Sequence, residues 1–344
     1  MYLEEDVQRL VLRARARKGH AAVAASALGF GDPVLSSAIT EITDRGPRYR
    51  GELAVELAAR GATFEEVTVR LVAALPGKRS SAPRLAAIQT RLAAVRELHP
   101  KPGAHRLLAV VAALASPDAP TSADLDALAF IRLAAAYGGP RVATERASIA
   151  HTVLAAFGLR TGGPLGRARI RAVDCALVLL ADHELNASSF ACRVAASTGA
   201  RVEVALLAGL AACTGPRHGS ASAGAVALLR EQEPVHATPD GFGHPLYPNG
   251  DPRFEPLLEH ARTLAPRAVF LARASRLTGT MKRSTGAHPN VDLGLALLTL
   301  TLGAPATFGP FLFTIARMAG WFAHAREQHA HGTLLRPRAR YVGD

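Results

Sequence analysis

The sequence predicts a mainly α fold, and three observations carry that prediction. Alanine and leucine dominate while strand-forming residues are sparse, a balance that favours helix over sheet. Apolar residues recur every three or four positions, as in Leu85, Ile88, Leu92 and Val95, or Ile170, Val173, Leu177 and Leu180, which lines them along one helix face. Thr63-Phe-Glu-Glu66 is a capping box, with the threonine capping and Glu66 reaching back. An apolar content of 49% over 344 residues supplies a buried core for one large domain or two.

Taken in order, residues 3–18 read as a charged helix with Val7, Leu10, Val11 and Ala14 on one face. Residues 38–50 alternate like short strands broken at Gly46-Pro47, the pattern of a small hairpin or extended arm. Helices follow at 52–60, from the capping box onward (Phe64, Val67, Leu71, Ala74), and from Ser81 and Pro83 up to His99, with a basic turn at Gly77–Ser81. Further helices fall at 105–115, 122–137 and 144–157, then 169–180 after a glycine-rich turn at 159–167. Helical text continues at 188–198, 202–213 and 221–231. It stops at Glu233–Arg253, where five prolines and three glycines exclude a helix. Helices resume at 254–263 and 266–277. A polar turn is expected at 278–289, two apolar helices at 293–302 and 308–325, and an irregular basic tail at 332–344.

The net charge of +12 fits either a nucleic-acid surface or an enzyme of anionic substrates. The chain has no zinc-finger spacing and only 5% aromatic residues for base stacking, which argues against nucleic acid. Cys175, Cys192 and Cys213 are an odd set without CxxC spacing, read as reduced buried thiols of a cytoplasmic protein. The charged N-terminus is not a secretory signal. Leu293–Ala316 carries no charge, but Gly303-Ala-Pro305 and Gly309-Pro310 break it into two short helices, so no membrane span is expected. His324, His329 and His331 do not match a zinc spacing, so no metal is expected. Gly241-Phe242-Gly243 lacks the third glycine of a dinucleotide fingerprint.

Four residues share one format, a histidine or aspartate at a helix end beside glycine or proline: His183, His218, His244 and Asp292. Any one histidine there is ordinarily a cap or surface group. As a set they suggest proton abstraction next to a carbonyl. Asp292, against apolar text, has its pKa raised and becomes a usable base. His218 is placed to steady an oxyanion, and His244, on the proline-rich loop, to polarise an electrophile.

Six motifs carry a family likeness: ADHELNASSFACRVAASTGA (181–200), GPRHG (215–219), GFGHPLYPNGDPR (241–253), HPNVDLGLALL (288–298), ARMAGWFAHAREQ (316–328) and RPRARYVG (336–343). With a weaker match at 48–67, they resemble the citrate synthase family, which includes 2-methylcitrate synthases. The resemblance implies a two-domain helical fold, dimeric. Residues 1–218 and 303–344 would form the large domain and 219–302 the small one, closing over a cleft. It implies His218, His244 and Asp292 as catalytic residues. His183, Arg253, Arg317 and Arg336 would bind the oxo acid oxaloacetate, Arg336 from the partner subunit. Asn186 and Ser188 would support the site, and Gly241, Phe242 and Gly243 would lie against CoA. No cofactor would be resident; acetyl-CoA or propionyl-CoA would be the co-substrate. The chain departs from the family's usual text with Arg217, Ser220 and Ser222 around His218, and with Pro245 and Leu246 after His244. Two other readings share these residues: a weakly catalytic paralogue with a binding role, and a lyase running the condensation backwards.

Overall fold

The computed structural model describes residues 35–73, 85–116, 127–143, 148–215, 218–230 and 238–337. The expected N-terminal helix at 3–18, the basic turn at 77–81 and the last residues of the tail lie outside them. The described chain opens with a three-stranded antiparallel sheet, β1 (Thr40–Thr43), β2 (Gly46–Tyr49) and β3 (Glu52–Leu53). Thr43 pairs with Gly46 across a two-residue turn at Asp44-Arg45, so Gly46-Pro47 starts the second strand rather than breaking the first. Tyr49, fully buried, donates its hydroxyl to the Val178 carbonyl at 3.0 Å and so ties the sheet to the helical body.

Fourteen helices follow among the described residues. The first seven are α1 (Ala54–Ala59), α2 (Phe64–Ala73), α3 (Leu85–Leu98), α4 (Ala104–Leu114), α5 (Ala127–Gly138), α6 (Ile149–Ala156) and α7 (Gly163–Leu180). The others are α8 (Ala187–Ser197), α9 (Val202–Cys213), α10 (Ala221–Arg230), α11 (Phe254–Leu264), α12 (Val269–Ser284), α13 (Val291–Leu302) and α14 (Phe308–His331). The capping box closes as read: Glu66 N donates to Thr63 Oγ1 at 3.2 Å and Thr63 N to Glu66 Oε2 at 2.9 Å.

Glu52–Leu53, read as the start of a helix, instead pair with β2 as β3, and three helix boundaries move by six or seven residues from the sequence reading. Helix α7 starts at Gly163, six residues early, because Pro164 is tolerated in a first turn whose amides lack partners anyway. Helix α12 runs through the expected polar turn to Ser284. Its Met281 is buried, and that burial, worth about 2 kcal/mol, outweighs the roughly 1 kcal/mol cost of Gly279 in a helix. Helix α14 continues to His331, where Gly332 ends it at φ +68°.

Helix α14 is the axis of the larger core, with α2, α5, α7, α8, α9 and α13 packed around it. A Cβ on Gly209 of α9 would lie 3.0 Å from the Trp321 indole, so glycine lets α9 close on α14. A second, smaller core gathers Ala225, Val226, Phe242, Phe254, Leu258, Met281, Leu293 and Leu297. The uncharged 293–316 segment is α13 plus the start of α14, broken at Gly303 in the left-handed region. No helix among the described residues is long and apolar enough to cross a membrane. The three cysteines are free and buried.

Candidate active site

One wall of the site is the connection from α7 to α8. Asp182 is fully buried and pairs with His324 of α14 at 3.2 Å. Its other oxygen side is close to Gly320, where any Cβ would collide with it. Glu184 N donates to Asp182 Oδ2 and Glu184 sits at φ +56°, a left-handed corner that turns His183 away from the helix axis. Asn186 caps α8, accepting at Oδ1 from Ser188 N, Ser189 N and the Ser188 hydroxyl (2.7 Å).

Ser188 Oγ also accepts from Trp321 Nε1 at 3.2 Å and lies 2.8 Å from His218 Nε2. Its single proton goes to Asn186, so the remaining lone pair takes a proton from His218 Nε2. The neutral His218 ring therefore carries its hydrogen at Nε2. Nδ1 has no protein partner among the described residues. Phe313 meets the ring edge-on at 5.7 Å.

The facing wall is the proline-rich loop, whose first residues (231–237) lie outside the described ones. Gly243 N donates to His288 O, Asn290 N to Gly241 O, and Asn290 Nδ2 to Gly243 O, so the loop is stitched to the start of α13. Gly241 has φ +91° and a Cβ there would press on Leu293 and Ala225 at about 3.1–3.2 Å. Phe242 turns into the smaller core, so its side chain anchors the loop. Gly243 is open on its Cβ side, with only Thr238 near, at 3.8 Å.

His244 Nδ1 accepts from Leu246 N at 3.2 Å, which leaves the proton on Nε2. Its ring lies 5.4 Å from that of His183 and 4.8 Å from that of Tyr247. Arg253 is buried and forks onto Asp251, Nε to Oδ1 at 2.9 Å and Nη2 to Oδ2 at 2.8 Å. Arg317 is buried, donates Nε to Leu180 O, and stacks its guanidinium 4.6 Å from the Phe313 centroid.

Burial and these cations set the protonation states. Burial, then Arg317, pushes His218 down to about 4. Burial, then Arg253, does the same to His244, also to about 4. His183 is held well below its ordinary value by burial and by both arginines. Burial raises Asp292 to about 6, with Arg253 opposing and Asp251 adding to the rise. Asn290 caps the helix by accepting from Asp292 N, while the Asp292 carboxylate accepts no hydrogen bond among the described residues. At neutral pH the site thus presents three neutral imidazoles, a weakly basic carboxylate and two buried guanidinium groups.

His183 lies near Arg253, Arg317, His244 and His218, and Asp292 near the same two arginines, so the six side chains gather around Arg253 and Arg317, with Asn186 and Ser188 behind His218. Arg336 is not among them. It is exposed, and Leu335 N donates to Ser197 Oγ at the far end of α8. That end is roughly 16 Å along the helix from Asn186 at 1.5 Å per residue. Sequence reading missed Tyr247, Asp251, Asn290, Phe313 and Trp321. Asp251 had a signal, its position two residues before Arg253; Phe313 and Trp321 look like ordinary core residues. Among the described residues no cluster of three histidine, cysteine or acidic side chains could hold a metal.

A two-core helical body with a cleft of neutral histidines, a carboxylate of raised pKa and buried arginines defines an enzyme-like class suited to carbon-acid chemistry on anionic molecules. The sequence model for the citrate synthase C-terminal domain matches residues 29–338, and the chain belongs to the citrate synthase family. It is 34% identical over 190 residues to citrate synthase 2 of Bacillus subtilis, covering 51% of each protein. It is 33% identical over 215 residues to 2-methylcitrate synthase 2 of Corynebacterium glutamicum, covering 57% of this chain and 56% of that one. The matches thus span about half the length of the curated relatives. Citrate synthase of Thermoplasma acidophilum, solved as a ternary complex with carboxymethyl coenzyme A and oxaloacetate, superposes with a TM-score of 0.74 at 26% identity, covering 91% of this chain and 94% of that one.

Proposed function

We propose that the chain condenses an acyl-CoA with oxaloacetate and hydrolyses the resulting thioester, with acetyl-CoA giving citrate and CoA. The observation that carries this reading is the contrast between Asp292, raised to about 6, and the neutral histidines, both set beside the buried Arg253 and Arg317. Asp292 takes a proton from the acyl α-carbon. His218 steadies the enolate oxygen from Nδ1. For Nδ1 to carry a proton, the Ser188 hydroxyl turns from Asn186 Oδ1 to His218 Nε2, so a rotation of Ser188 accompanies acyl binding. The enolate carbon attacks the keto carbon of oxaloacetate while His244 donates from Nε2 to the forming alkoxide. Water then cleaves the thioester, releasing citrate and CoA.

Arg253, Arg317 and His183 hold the dicarboxylate, as arginine forks do. Arg336 joins them from a second subunit of a homodimer, in keeping with its exposed place at the far end of α8. The small domain, 219–302, contains most of the smaller core, and its closure brings the Gly241–Gly243 loop over CoA, Gly243 offering the open face.

The test is release of free thiol from acetyl-CoA and from propionyl-CoA, each with oxaloacetate. Release with acetyl-CoA supports the citrate reaction. Faster release with propionyl-CoA makes 2-methylcitrate the product. No release with either thioester from a folded dimer overturns the proposal.

A further inference from the structure

Tyr247 lies among three of the site residues and has no part in the chemistry above. Its hydroxyl is 3.0 Å from His183 Nε2. Its ring is tilted 33° against His244 with centroids 4.8 Å apart, and the Arg253 guanidinium carbon lies 5.5 Å from its centroid. Two successive turns hold it: Tyr247 N donates to His244 O, and Gly250 N to Tyr247 O, each at 3.0 Å. Only 3% of the residue is exposed. A buried ring in such a loop could serve packing alone, which an apolar residue would do as well. The hydroxyl is what packing does not require, since a buried hydroxyl needs a partner.

We propose that Tyr247 is a positioning residue that sets the tautomer of His183, donating its O–H to Nε2 so that His183 offers a proton at Nδ1 to the oxo acid. A phenol is a stronger acid than a neutral imidazole N–H and its oxygen a poorer acceptor, so O–H to N is the better arrangement. Burial pushes the phenol up to about 12 and holds His183 well below its ordinary value, so both partners are neutral at pH 7. Among the described residues His183 Nδ1 has no protein partner, which leaves it for a ligand. With His244 presenting Nε2–H from the loop and His183 presenting Nδ1–H from the α7–α8 connection, two neutral donors then stand beside the buried Arg253. That combination suits the keto and carboxylate oxygens of one small oxo dicarboxylate. The assignment of the ligand rests on the proposed condensation; the tautomer does not.

The experiment uses the full chain, its histidines labelled with nitrogen-15, and the conservative variant Tyr247→Phe, which keeps the stacked ring. In the free wild-type protein His183 should resonate as the Nδ1–H tautomer, and in Tyr247→Phe that signature should be lost. Oxaloacetate affinity by calorimetry should fall about tenfold, the equivalent of one hydrogen bond, while KM for the acyl-CoA stays within twofold. A wild-type His183 carrying its proton at Nε2, or a Tyr247→Phe protein with unchanged His183 signals, overturns the proposal. Failure of the wild type to bind oxaloacetate, with the Nδ1–H signature present, overturns the condensation reading and leaves the tautomer assignment standing.

Discussion

Asp251 and Asp292 belong to the same wall of the cleft and meet opposite fates. Asp251 accepts four hydrogen bonds, from Arg253 N, Nε and Nη2 and from Val291 N. Burial opposes its charge, but the Arg253 guanidinium and these donors hold it below the usual carboxylate range. Asp292, one residue beyond Val291, accepts none among the described residues and is raised to about 6. Asp251 is buried and Asp292 half-buried, yet it is Asp251 that keeps its charge, because the supply of donors separates them. One aspartate becomes a permanent anion that fixes an arginine, and the other stays available as a base.

The strongest way to break that comparison is at Asp292. Asp292→Ala should lower turnover by roughly 100- to 10,000-fold, the range of a lost general base, while calorimetry finds oxaloacetate still bound. Surviving activity would exclude Asp292 as the base. Asp251→Ala should act on the fold instead. Removing one partner of a buried ion pair costs about 3–5 kcal/mol, read as a lower urea midpoint, because Arg253 is left buried and unpaired. A stability unchanged from wild type would mean that Arg253 finds another anion.

The pH profile sharpens the contrast. Only the deprotonated form of Asp292 can accept a proton, so kcat/KM should fall about tenfold per unit below pH 6. His218 and His244, both near 4, add no second break between pH 6 and pH 4. A profile flat down to pH 5 would show that Asp292 is not titrating as stated.

Asp174 supplies the smallest effect and a control remote from the chemistry. It accepts one hydrogen bond, from Phe64 N at the start of α2, and burial raises it to about 6 with Glu65 and Glu66 adding to the rise. Its folded pKa lies above the unfolded value, so the fold favours the protonated form. The contribution of Asp174 to stability is therefore fully present below about pH 4 and is lost as pH rises through 6. Asp174→Asn keeps an acceptor for Phe64 N and removes the buried charge. It should therefore raise stability by about 1–2 kcal/mol at pH 7, measured by urea unfolding, with the gain gone at pH 4. An equal gain at both pH values would assign the effect to packing.

Much of this was legible in the one-dimensional text. The helices, the capping box, the hairpin and the turns holding His183, His218 and Asp292 follow from periodicity and capping, with the ends of α7, α12 and α14 displaced by six or seven residues. Asp292 could be read as a raised carboxylate because the apolar run after it announces its surroundings. The sequence by itself thus determined the helical class, the family likeness and the chemical types in the cleft.

Tertiary structure alone decided how those types are tuned. The donor that separates Asp251 from Asp292 includes Val291 N, 40 residues along the chain. The proton on His218 is set by Trp321, Ser188 and Asn186, the first brought in by α14. Arg336 stands away from the cleft because its segment is tied to the far end of α8. Local sequence encodes backbone conformation through neighbours a turn away. Protonation depends on charges and donors within a few ångströms in space, and those come from segments that only folding brings together.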